Sequence, residues 1–254
     1  MRPSYAYLDA PGPLAFAHRG GAGDAAENAL SSFASVRDLG YRYVETDVRT
    51  TSDGVPVVFH DEDAGRLTGE AGGIGERTLA DVRRLALVGG EPVATLEEVL
   101  TAFPDLRFNV DLKDAASVPS VPPVLARTGA ADRVCVTSFS ERRVRAARGL
   151  LGPQVCTGLG VGGVLALLAA GTARLPWRGA AAVLQVPWVL SGGRTLPASV
   201  VRTGHRYGLA VHVWTVDDPV QMEAALDLGV DGIMTDRPAV LKDVLTRRGL
   251  WHPR

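Results

Sequence analysis

Acidic residues at the ends of two predicted strands could hold a hard cation. Glu45 and Asp47 lie two residues apart in the segment Tyr43–Val48, and residues at that spacing in a strand point to the same face. Two adjacent carboxylates repel each other, and a divalent cation with oxygen ligands is the simplest way to relieve the repulsion. A pair of solvent-exposed acids at a strand end is the alternative, and spacing alone does not decide between them.

Asp111 and Lys113 repeat this spacing on the third predicted strand, with Leu112 turned to the other face. If the strands form a barrel, the second and third strands are neighbours, so Asp111 is expected to join Glu45 and Asp47 around one cation. Lys113 would then be a free cation for an anionic substrate. A surface Asp–Lys pair is the alternative.

Two histidines also fall at strand ends. His18 and Arg19 follow the apolar segment Leu14–Ala17, and His60 follows a second apolar run. Paired histidines can act as acid and base near neutral pH, and the planar guanidinium of Arg19 suits phosphate oxygens. The alternatives are structural histidines and a plain ion pair for the arginine. Structural or exposed positions are predicted for the remaining histidines: His205, His212 and His252.

The elements that must position these residues alternate along the chain. Apolar runs predict strands at Leu14–Ala17, Tyr43–Val48, Leu106–Leu112, Val134–Thr137, Val155–Leu159, Ala182–Val186, Leu209–Thr215 and Gly232–Thr235. Helical periodicity predicts helices at Ala29–Asp38, Leu96–Phe103, Val121–Arg127, Glu141–Leu150, Gly163–Ala170, Ala198–Tyr207, Pro219–Leu228 and Ala239–Arg247. Eight strand–helix pairs predict an α/β protein, a (β/α)8 TIM barrel, whose active site lies at the carboxyl ends of the strands.

No linker divides the chain, so a single domain over residues 1–254 is predicted. Residues 61–92 are too long for an ordinary loop and predict a small insertion on the rim after the second strand. Asp53-Gly54 between two apolar runs predicts a hairpin that returns His60 to the rim.

Composition limits the partners. The net charge is −1, which gives no electrostatic reason to expect nucleic acid or a membrane surface as a partner. The run of Arg142, Arg143, Arg145 and Arg148 is predicted to be a solvated helix face. Cys135 and Cys156 are expected to be buried thiols. Without a signal segment or an apolar run of membrane-spanning length, a cytoplasmic protein with no integral membrane segment is predicted.

The motifs together resemble the glycerophosphodiester phosphodiesterase family, barrel phosphodiesterases similar to phosphatidylinositol-type phospholipase C. The resemblance covers nearly the whole chain, and its combined motifs are specific. They are His18-Arg19-Gly20, Glu27-Asn28, Glu45-x-Asp47, His60-Asp61, Thr95–Leu100, Asp111-x-Lys113, Ser138-Phe139, Trp214-Thr215-Val216 and Gly229–Pro238.

The resemblance implies metal-dependent hydrolysis of glycerophosphodiesters to sn-glycerol 3-phosphate and an alcohol. It implies Mg²⁺ or Ca²⁺ as the cofactor, held by Glu45, Asp47 and Asp111. It implies His18 and His60 as acid and base, in an unassigned order, and Arg19 and Lys113 on the phosphate. Phe139 and Trp214 fall where the family has aromatic residues near the substrate, with rim packing as the alternative.

Three positions depart from the family pattern. Ala94 replaces the usual proline before Thr95, at the end of the predicted insertion. Asp111 stands where Glu is more frequent, and Asp217 stands where Asn is usual. The shorter Asp111 side chain favours a different ion or an intervening water, and Asp217 adds a negative charge near the rim.

Other functions remain open. A phosphodiesterase acting on lysophospholipids or other phosphodiesters, and a catalytically silent phosphodiester-binding barrel, both fit the motifs. A nicotinamide-dependent oxidoreductase would use Gly21-x-Gly23-x-x-Ala26 as a dinucleotide fingerprint, but that leaves His60, Asp111 and Lys113 unexplained. The sequence leaves the leaving alcohol, the preferred ion and the oligomeric state open.

Overall fold

The computed structural model describes residues 5–23, 26–177 and 179–253. It is a (β/α)8 barrel, as predicted. Its parallel strands are β1 (Leu14–Ala17), β2 (Tyr43–Thr50), β4 (Arg107–Leu112), β5 (Val134–Thr137), β6 (Cys156–Thr157), β7 (Val183–Pro187), β10 (Ala210–Trp214) and β11 (Gly232–Thr235). They pair in chain order, and β11 returns to β1. A parallel bridge between Gly158 and Val183 closes the ring between β6 and β7.

In the part of the chain that the structure describes, eight helices cover the outside of the barrel. They are α1 (Leu30–Asp38), α4 (Leu96–Ala102), α5 (Ser117–Arg127), α6 (Glu141–Leu150), α7 (Val161–Ala173), α8 (Ala198–Arg206), α9 (Pro219–Asp227) and α10 (Pro238–Arg247). Apolar side chains from these helices and from the outer faces of the strands form two large buried clusters. Burial of that apolar surface fixes the helices on the sheet, so the strand ends are held rigidly.

Several predicted boundaries were wrong by a few residues. Helix α5 begins at Ser117 rather than Val121, because the Asp114 carboxylate accepts the backbone N–H of Ser117 at 2.7 Å and caps the helix early. Pro119 lies in the first turn, where no backbone N–H is required. Strand β6 is shorter than predicted, and α7 is longer at both ends.

The predicted hairpin is confirmed. The antiparallel strand β3 (Pro56–Val58) pairs with the end of β2, with Thr50 opposite Pro56. This pairing extends β2 to Thr50, two residues past the predicted end. Gly54, with a φ of 85°, lies in the connecting turn, and the returning chain carries His60 to the rim.

Between β3 and α4 the chain has its own small apolar cluster. Helices α2 (Gly65–Thr68) and α3 (Leu79–Val82) flank a 3₁₀ turn at Ile74–Glu76, and Leu67, Ile74 and Val82 pack with Phe59. The interpretation of residues 61–92 as a rim insertion on one domain stays a prediction.

Two further short strands, β8 (Val189–Leu190) and β9 (Arg194–Thr195), form a separate hairpin after β7. Within the described part of the chain, no helix has the length and apolar character needed to cross a membrane.

The barrel interior carries a buried polar contact below the strand ends. Gln185 on β7 donates to the Asn109 side chain on β4 at 2.8 Å and lies 3.3 Å from Nδ1 of His212 on β10. His212 is fully buried, and burial lowers its pKa to about 4. Of the two alternatives predicted for His212, the structure supports the structural one, because the imidazole is buried and neutral.

We expect His212 to make the fold sensitive to acid. Because its pKa is lower in the folded state than in the unfolded chain, the unfolded chain binds the extra proton, and stability falls as the pH drops from about 6.5 towards 4. The free energy of unfolding should fall by roughly 1–2 kcal/mol more in the wild type than in His212→Asn between about pH 7 and 5. Denaturant unfolding at both pH values measures this difference. His252→Gln, at an exposed histidine, should follow the wild type, and equal slopes in all three proteins would contradict the assignment.

Candidate active site

The three predicted acidic residues lie at adjoining strand ends. Asp47 on β2 is directly opposite Asp111 on β4, and Glu45 is one layer below on β2. Their exposed fractions are 5% for Glu45, 1% for Asp47 and 6% for Asp111. Because β2 and β4 are neighbours in the barrel, the parallel register brings together carboxylates that are more than sixty positions apart in the sequence.

Lys113 is the main counter-charge of this acidic group. Its Nζ atom lies 2.8 Å from Asp47 Oδ1 and 2.6 Å from Asp111 Oδ2. Burial works to lower the pKa of Lys113, but the two carboxylates outweigh it and raise the pKa above its usual value. The expectation of a free cation was wrong, because the register places the ammonium between two buried carboxylates.

Arg19 is also engaged. It has a left-handed backbone conformation with a φ of 51°, between β1 and the glycines of its turn. Its backbone N–H donates to Glu45 Oε2 at 3.2 Å, its Nη1 lies 3.3 Å from Glu27, and its Nε lies 3.3 Å from Asp47. The guanidinium is therefore tied to the carboxylates rather than free, and a strained residue at this position is typical of a functional loop.

Asn28 joins the same loop to β2, a role that sequence reasoning missed. It is fully buried with a φ of 60°. Its side-chain amide donates to Asp47 Oδ2 at 3.2 Å and accepts from the Thr46 hydroxyl at 2.8 Å. The Glu27-Asn28 motif was visible in the sequence, but no spacing argument connects it to Asp47.

Each of the two predicted histidines is hydrogen-bonded through Nδ1 to an aspartate. His18 Nδ1 lies 2.6 Å from Asp236 Oδ1, and His60 Nδ1 lies 2.6 Å from Asp61 Oδ1. The Nε2 atom of His18 is directed at the acidic group, 3.6 Å from Glu45 Oε2. Burial works to lower the pKa of His18, but Glu45 and Asp236 outweigh it and raise the pKa above its usual value.

Asp217 supports the first of these pairs. One of its carboxylate oxygens accepts the backbone N–H of Asp236 and the Thr235 hydroxyl, each at 2.8 Å. The departure from Asn therefore replaces an amide oxygen with a charged acceptor that makes the same kind of contact. Asp217 holds the turn that presents Asp236 to His18.

Arg66, on α2, links the second pair to Arg19. Its guanidinium donates to Asp61 at 2.5 and 3.0 Å, and to Glu27 at 2.7 and 3.0 Å. The hydrogen bonds from Arg66 lower the pKa of Asp61, with a smaller contribution from His60. Arg66 thus supports two residues of the site. Asp61 in turn bonds to His60, and Glu27 bonds to Arg19. Sequence reasoning gave Arg66 no role.

The two predicted aromatic residues meet beside the acidic group. Phe139, after β5, and Trp214, at the end of β10, form an edge-to-face pair with ring centroids 5.4 Å apart. Lys113 Nζ lies 5.5 Å from the Phe139 ring centroid. Phe139 is 56% exposed, so this pair forms an open apolar wall next to the cationic and acidic side chains.

The charges of the acidic group are unevenly compensated. Burial raises the pKa of Glu45 to about 8, and the negative charge of Asp47 adds to the effect. Burial also raises the pKa of Asp111, against the opposing effect of Lys113. Asp47 has a lowered pKa, because Lys113 and Arg19 outweigh the effect of burial. Within the described ranges Glu45 has no lysine or arginine side chain in ion-pair contact, so it is the carboxylate most in need of a cation.

In the described part of the chain, no set of three or more His, Cys, Asp or Glu side chains is arranged to hold a metal ion. Lys113 takes the position between Asp47 and Asp111. The donor chemistry still fits a hard cation, because three carboxylates adjoin and Glu45 has no lysine or arginine partner among the described residues. A cation would require the Lys113 ammonium to move aside.

The glycines of the possible dinucleotide fingerprint do not open a helix. Gly21 packs on Pro238, where a Cβ would come within 2.9 Å of the proline ring, and Gly23 donates its N–H to the Asp236 carbonyl at 3.0 Å. The following helix, α1, begins only at Leu30. Asp24 and Ala25, within the fingerprint, lie outside the described residues. The glycines instead hold the loop that carries Arg19.

Comparisons with known proteins found similar sequences and similar folds. The model of the glycerophosphoryl diester phosphodiesterase family matches residues 18–240. A Mycobacterium tuberculosis H37Rv protein assigned as glycerophosphodiester phosphodiesterase 2 is 40% identical over 98% of this chain and 97% of its own. A solved protein of Silicibacter pomeroyi DSS-3, assigned as a glycerophosphoryl diester phosphodiesterase, has a TM-score of 0.81 and 25% identity over 97% of this chain and 99% of its own. An Oleispira antarctica phosphodiesterase, solved with its product sn-glycerol-3-phosphate, has a TM-score of 0.79 and 23% identity over 92% of this chain and 97% of its own.

We expect Lys113→Met to destabilise the fold, because it leaves Asp47 and Asp111 buried without their main cation. Breaking such a buried pair should cost about 3 kcal/mol of unfolding free energy near neutral pH. The cost should shrink in acid, where the carboxylates are protonated. Denaturant titration measures it, with Lys242→Met, at an outer-helix lysine, as the control. A loss no larger than that of the control would contradict the proposed pairing.

Proposed function

The chain belongs to the glycerophosphoryl diester phosphodiesterase family, and on that premise we propose that it hydrolyses glycerophosphodiesters to sn-glycerol 3-phosphate and an alcohol at this site. One observation carries the proposal. His18 and His60, each held by an aspartate, lie at the same end of the barrel as the buried carboxylates and Lys113. The product bound to the Oleispira antarctica phosphodiesterase supports the choice of sn-glycerol 3-phosphate.

The charges of the site suit an anionic ester. A phosphodiester repels nucleophiles, so hydrolysis requires positive charge near the phosphorus. Arg19 and Lys113 lie at the strand ends and are held in place by carboxylates, so they can stabilise charge that builds up on the phosphate with little reorganisation. Binding of the phosphate would replace part of their present contacts with Asp47, Glu27 and Asp111.

The two histidines would move the protons. One would take a proton from a water molecule as its oxygen bonds to phosphorus, and the other would give a proton to the alkoxide as its bond to phosphorus breaks, in an order that the geometry does not fix. Asp236 and Asp61 each hold an Nδ1 atom, which leaves the Nε2 atoms for the substrate. The Nε2 atom of His18 lies 3.6 Å from Glu45 Oε2, so this imidazole faces the acidic group directly.

We further propose that Glu45, Asp47 and Asp111 hold a divalent ion, Mg²⁺ or Ca²⁺, since all three offer hard oxygen donors. When bound, such an ion neutralises a non-bridging phosphate oxygen and favours attack at phosphorus. Glu45 gains most from it, because burial already disfavours its negative charge. A cytoplasmic location remains a prediction from the sequence.

The apolar pair of Phe139 and Trp214 lies where it can contact the alcohol portion of the substrate. Acyl-bearing phosphodiesters such as lysophospholipids are the second candidate substrates, because the wall is exposed and apolar. A panel of glycerophosphodiesters and lysophospholipids, scored for release of sn-glycerol 3-phosphate, distinguishes the two. Saturable binding without product release would instead identify a silent phosphodiester-binding barrel.

We expect His18→Ala and His60→Ala each to lower turnover by about 10² to 10⁴, because each removes one proton transfer. Circular dichroism and steady-state kinetics on a soluble glycerophosphodiester check the fold and the rate together. His205→Ala, at an α8 histidine that pairs with Asp231 outside the site, is the matched control and should keep normal turnover. Near-normal turnover in either site variant would remove that histidine from the mechanism.

Chelation should abolish turnover, and added Mg²⁺ or Ca²⁺ should restore it, because the acidic group then lacks its cation. Titration of each ion into the chelated enzyme, scored by release of sn-glycerol 3-phosphate, gives the preference between them. Full turnover in excess chelator would reject the proposed metal site.

Arg66→Met should lower turnover about 10- to 100-fold although Arg66 is outside the reacting group, because Asp61 then loses two of its hydrogen bonds. In a His60→Ala background the same change should have little further effect, since coupled residues are not additive. Arg84→Met, on an exposed arginine of the same segment, is the control. Equal losses from Arg66→Met in both backgrounds would mean that Arg66 does not act through His60.

A further inference from the structure

The charges of the chain are strongly separated along its length. Residues 134–216 contain nine arginines and a single carboxylate, Glu141, although the whole chain has a net charge of −1. Glu141 is committed to the backbone, because its Oε2 accepts the N–H groups of Gly160 and Gly163 at 2.8 and 3.1 Å. The sector that contains α6, α7 and α8 is therefore strongly cationic, and the remainder of the chain is acidic.

Helix α7, in the middle of this sector, exposes an apolar face. No charged residue occurs between positions 149 and 173. Val161 and Leu165 are 53% and 63% exposed, and Leu175, just after the helix, is 58% exposed. A surface helix normally carries charged side chains on its outer face, so an uncharged apolar one is a candidate interaction surface.

Arginines of the two neighbouring helices flank this face. Arg142 and Arg145 lie on the outer side of α6, and Arg202 and Arg206 lie on the outer side of α8. Arg206 donates to the carbonyl of Gly171 on α7 at 3.4 Å, which places it directly beside that helix. Among the described residues, none of these four arginines forms an ion pair, whereas Arg83, Arg84 and Arg127, which lie outside this sector, all do.

We propose that this surface docks on an anionic lipid bilayer. The surface, here termed the α7 face, consists of Val161 and Leu165 flanked by Arg142, Arg145, Arg202 and Arg206. An apolar strip between two rows of arginines suits insertion into the headgroup region together with attraction to anionic headgroups. The proposal goes beyond the proposed function, because it names a partner surface outside the catalytic site.

The charges argue against the other occupants. A second copy of the chain, related by a two-fold axis through α7, would place arginines opposite arginines, which is repulsive. Nucleic acid would satisfy the arginines but would gain nothing from exposed Val161 and Leu165. A bilayer with anionic headgroups is the partner that matches both the charge and the apolar strip.

The α7 face also adjoins the mouth of the site. The backbone N–H of Val161, the first residue of α7, donates to the Phe139 carbonyl at 2.9 Å. Phe139 in turn packs on Trp214 beside Lys113. A bilayer seated against the first turns of α7 therefore lies at the edge of the mouth on its apolar side.

Co-sedimentation of the full chain with vesicles tests the proposal. Vesicles of equal parts phosphatidylglycerol and phosphatidylcholine should bind the protein at low salt and release it at high salt, and pure phosphatidylcholine vesicles should bind it weakly. Arg142→Gln/Arg145→Gln/Arg202→Gln should weaken the partition coefficient on the order of 100-fold, from about fivefold for each arginine. Turnover of a soluble substrate should stay unchanged, because none of these residues contacts the site.

Matched controls separate the α7 face from general attraction. Arg83→Gln/Arg84→Gln/Arg127→Gln removes the same charge from exposed arginines elsewhere and should leave binding nearly unchanged. Val161→Gln/Leu165→Gln should weaken binding, while Val88→Gln/Val220→Gln, at residues 66% and 74% exposed, should not.

Four results would overturn the proposal. The first is no binding to phosphatidylglycerol vesicles at low salt, and the second is equal weakening of vesicle binding by the two triple arginine variants. The third is competition for binding by duplex DNA together with no effect of Val161→Gln/Leu165→Gln. The fourth is a stable dimer in analytical ultracentrifugation that Leu165→Gln dissociates. Because vesicle binding is measured without substrate, its failure leaves the phosphodiesterase proposal untouched, and the failure of that proposal leaves the binding result untouched.

Discussion

Electrostatic repulsion among three buried carboxylates is the constraint around which this protein is organised. Glu45, Asp47 and Asp111 lie together because parallel register makes the ends of β2 and β4 coincide. Water cannot screen them, so the fold supplies Lys113 directly and Arg19 from the neighbouring loop. Glu45, with the least compensation, has the most strongly raised pKa of the three.

That constraint explains the surrounding scaffold. Arg19 has a left-handed backbone conformation so that its N–H and its guanidinium both reach the carboxylates. Hydrogen bonds then fix this loop to its neighbours. Asn28 bonds to Asp47 on β2, and Glu27 accepts from both Arg19 and Arg66, which connects the loop to the 61–92 segment. A site whose cations are all held by carboxylates is preorganised, and a bound phosphate exchanges partners without rebuilding the backbone.

Charge is also organised on a larger scale. The side of the barrel that contains the 61–92 segment carries most of the acids. The side formed by α6 to α8 carries arginines that form no ion pair among the described residues, around an uncharged helix. A near-zero total conceals this separation, which is why net charge alone gave no electrostatic reason to expect a membrane surface as a partner. The distribution of charge over the folded surface, rather than its sum, determines which partners can approach each side.

The resemblance to a known family placed Phe139 and Trp214 in the candidate site. The sequence by itself determined the barrel, the strand ends that carry the candidate site and the hairpin at Asp53-Gly54. These follow from local pattern, because periodicity and turn residues reflect burial and backbone geometry nearby in the chain. Only the tertiary structure decided the partners of each charged side chain. Asp236 meets His18 from 218 positions away, and Lys113 is bound rather than free. Such pairings depend on strand register and barrel closure, which bring together residues that no local signal in the sequence connects.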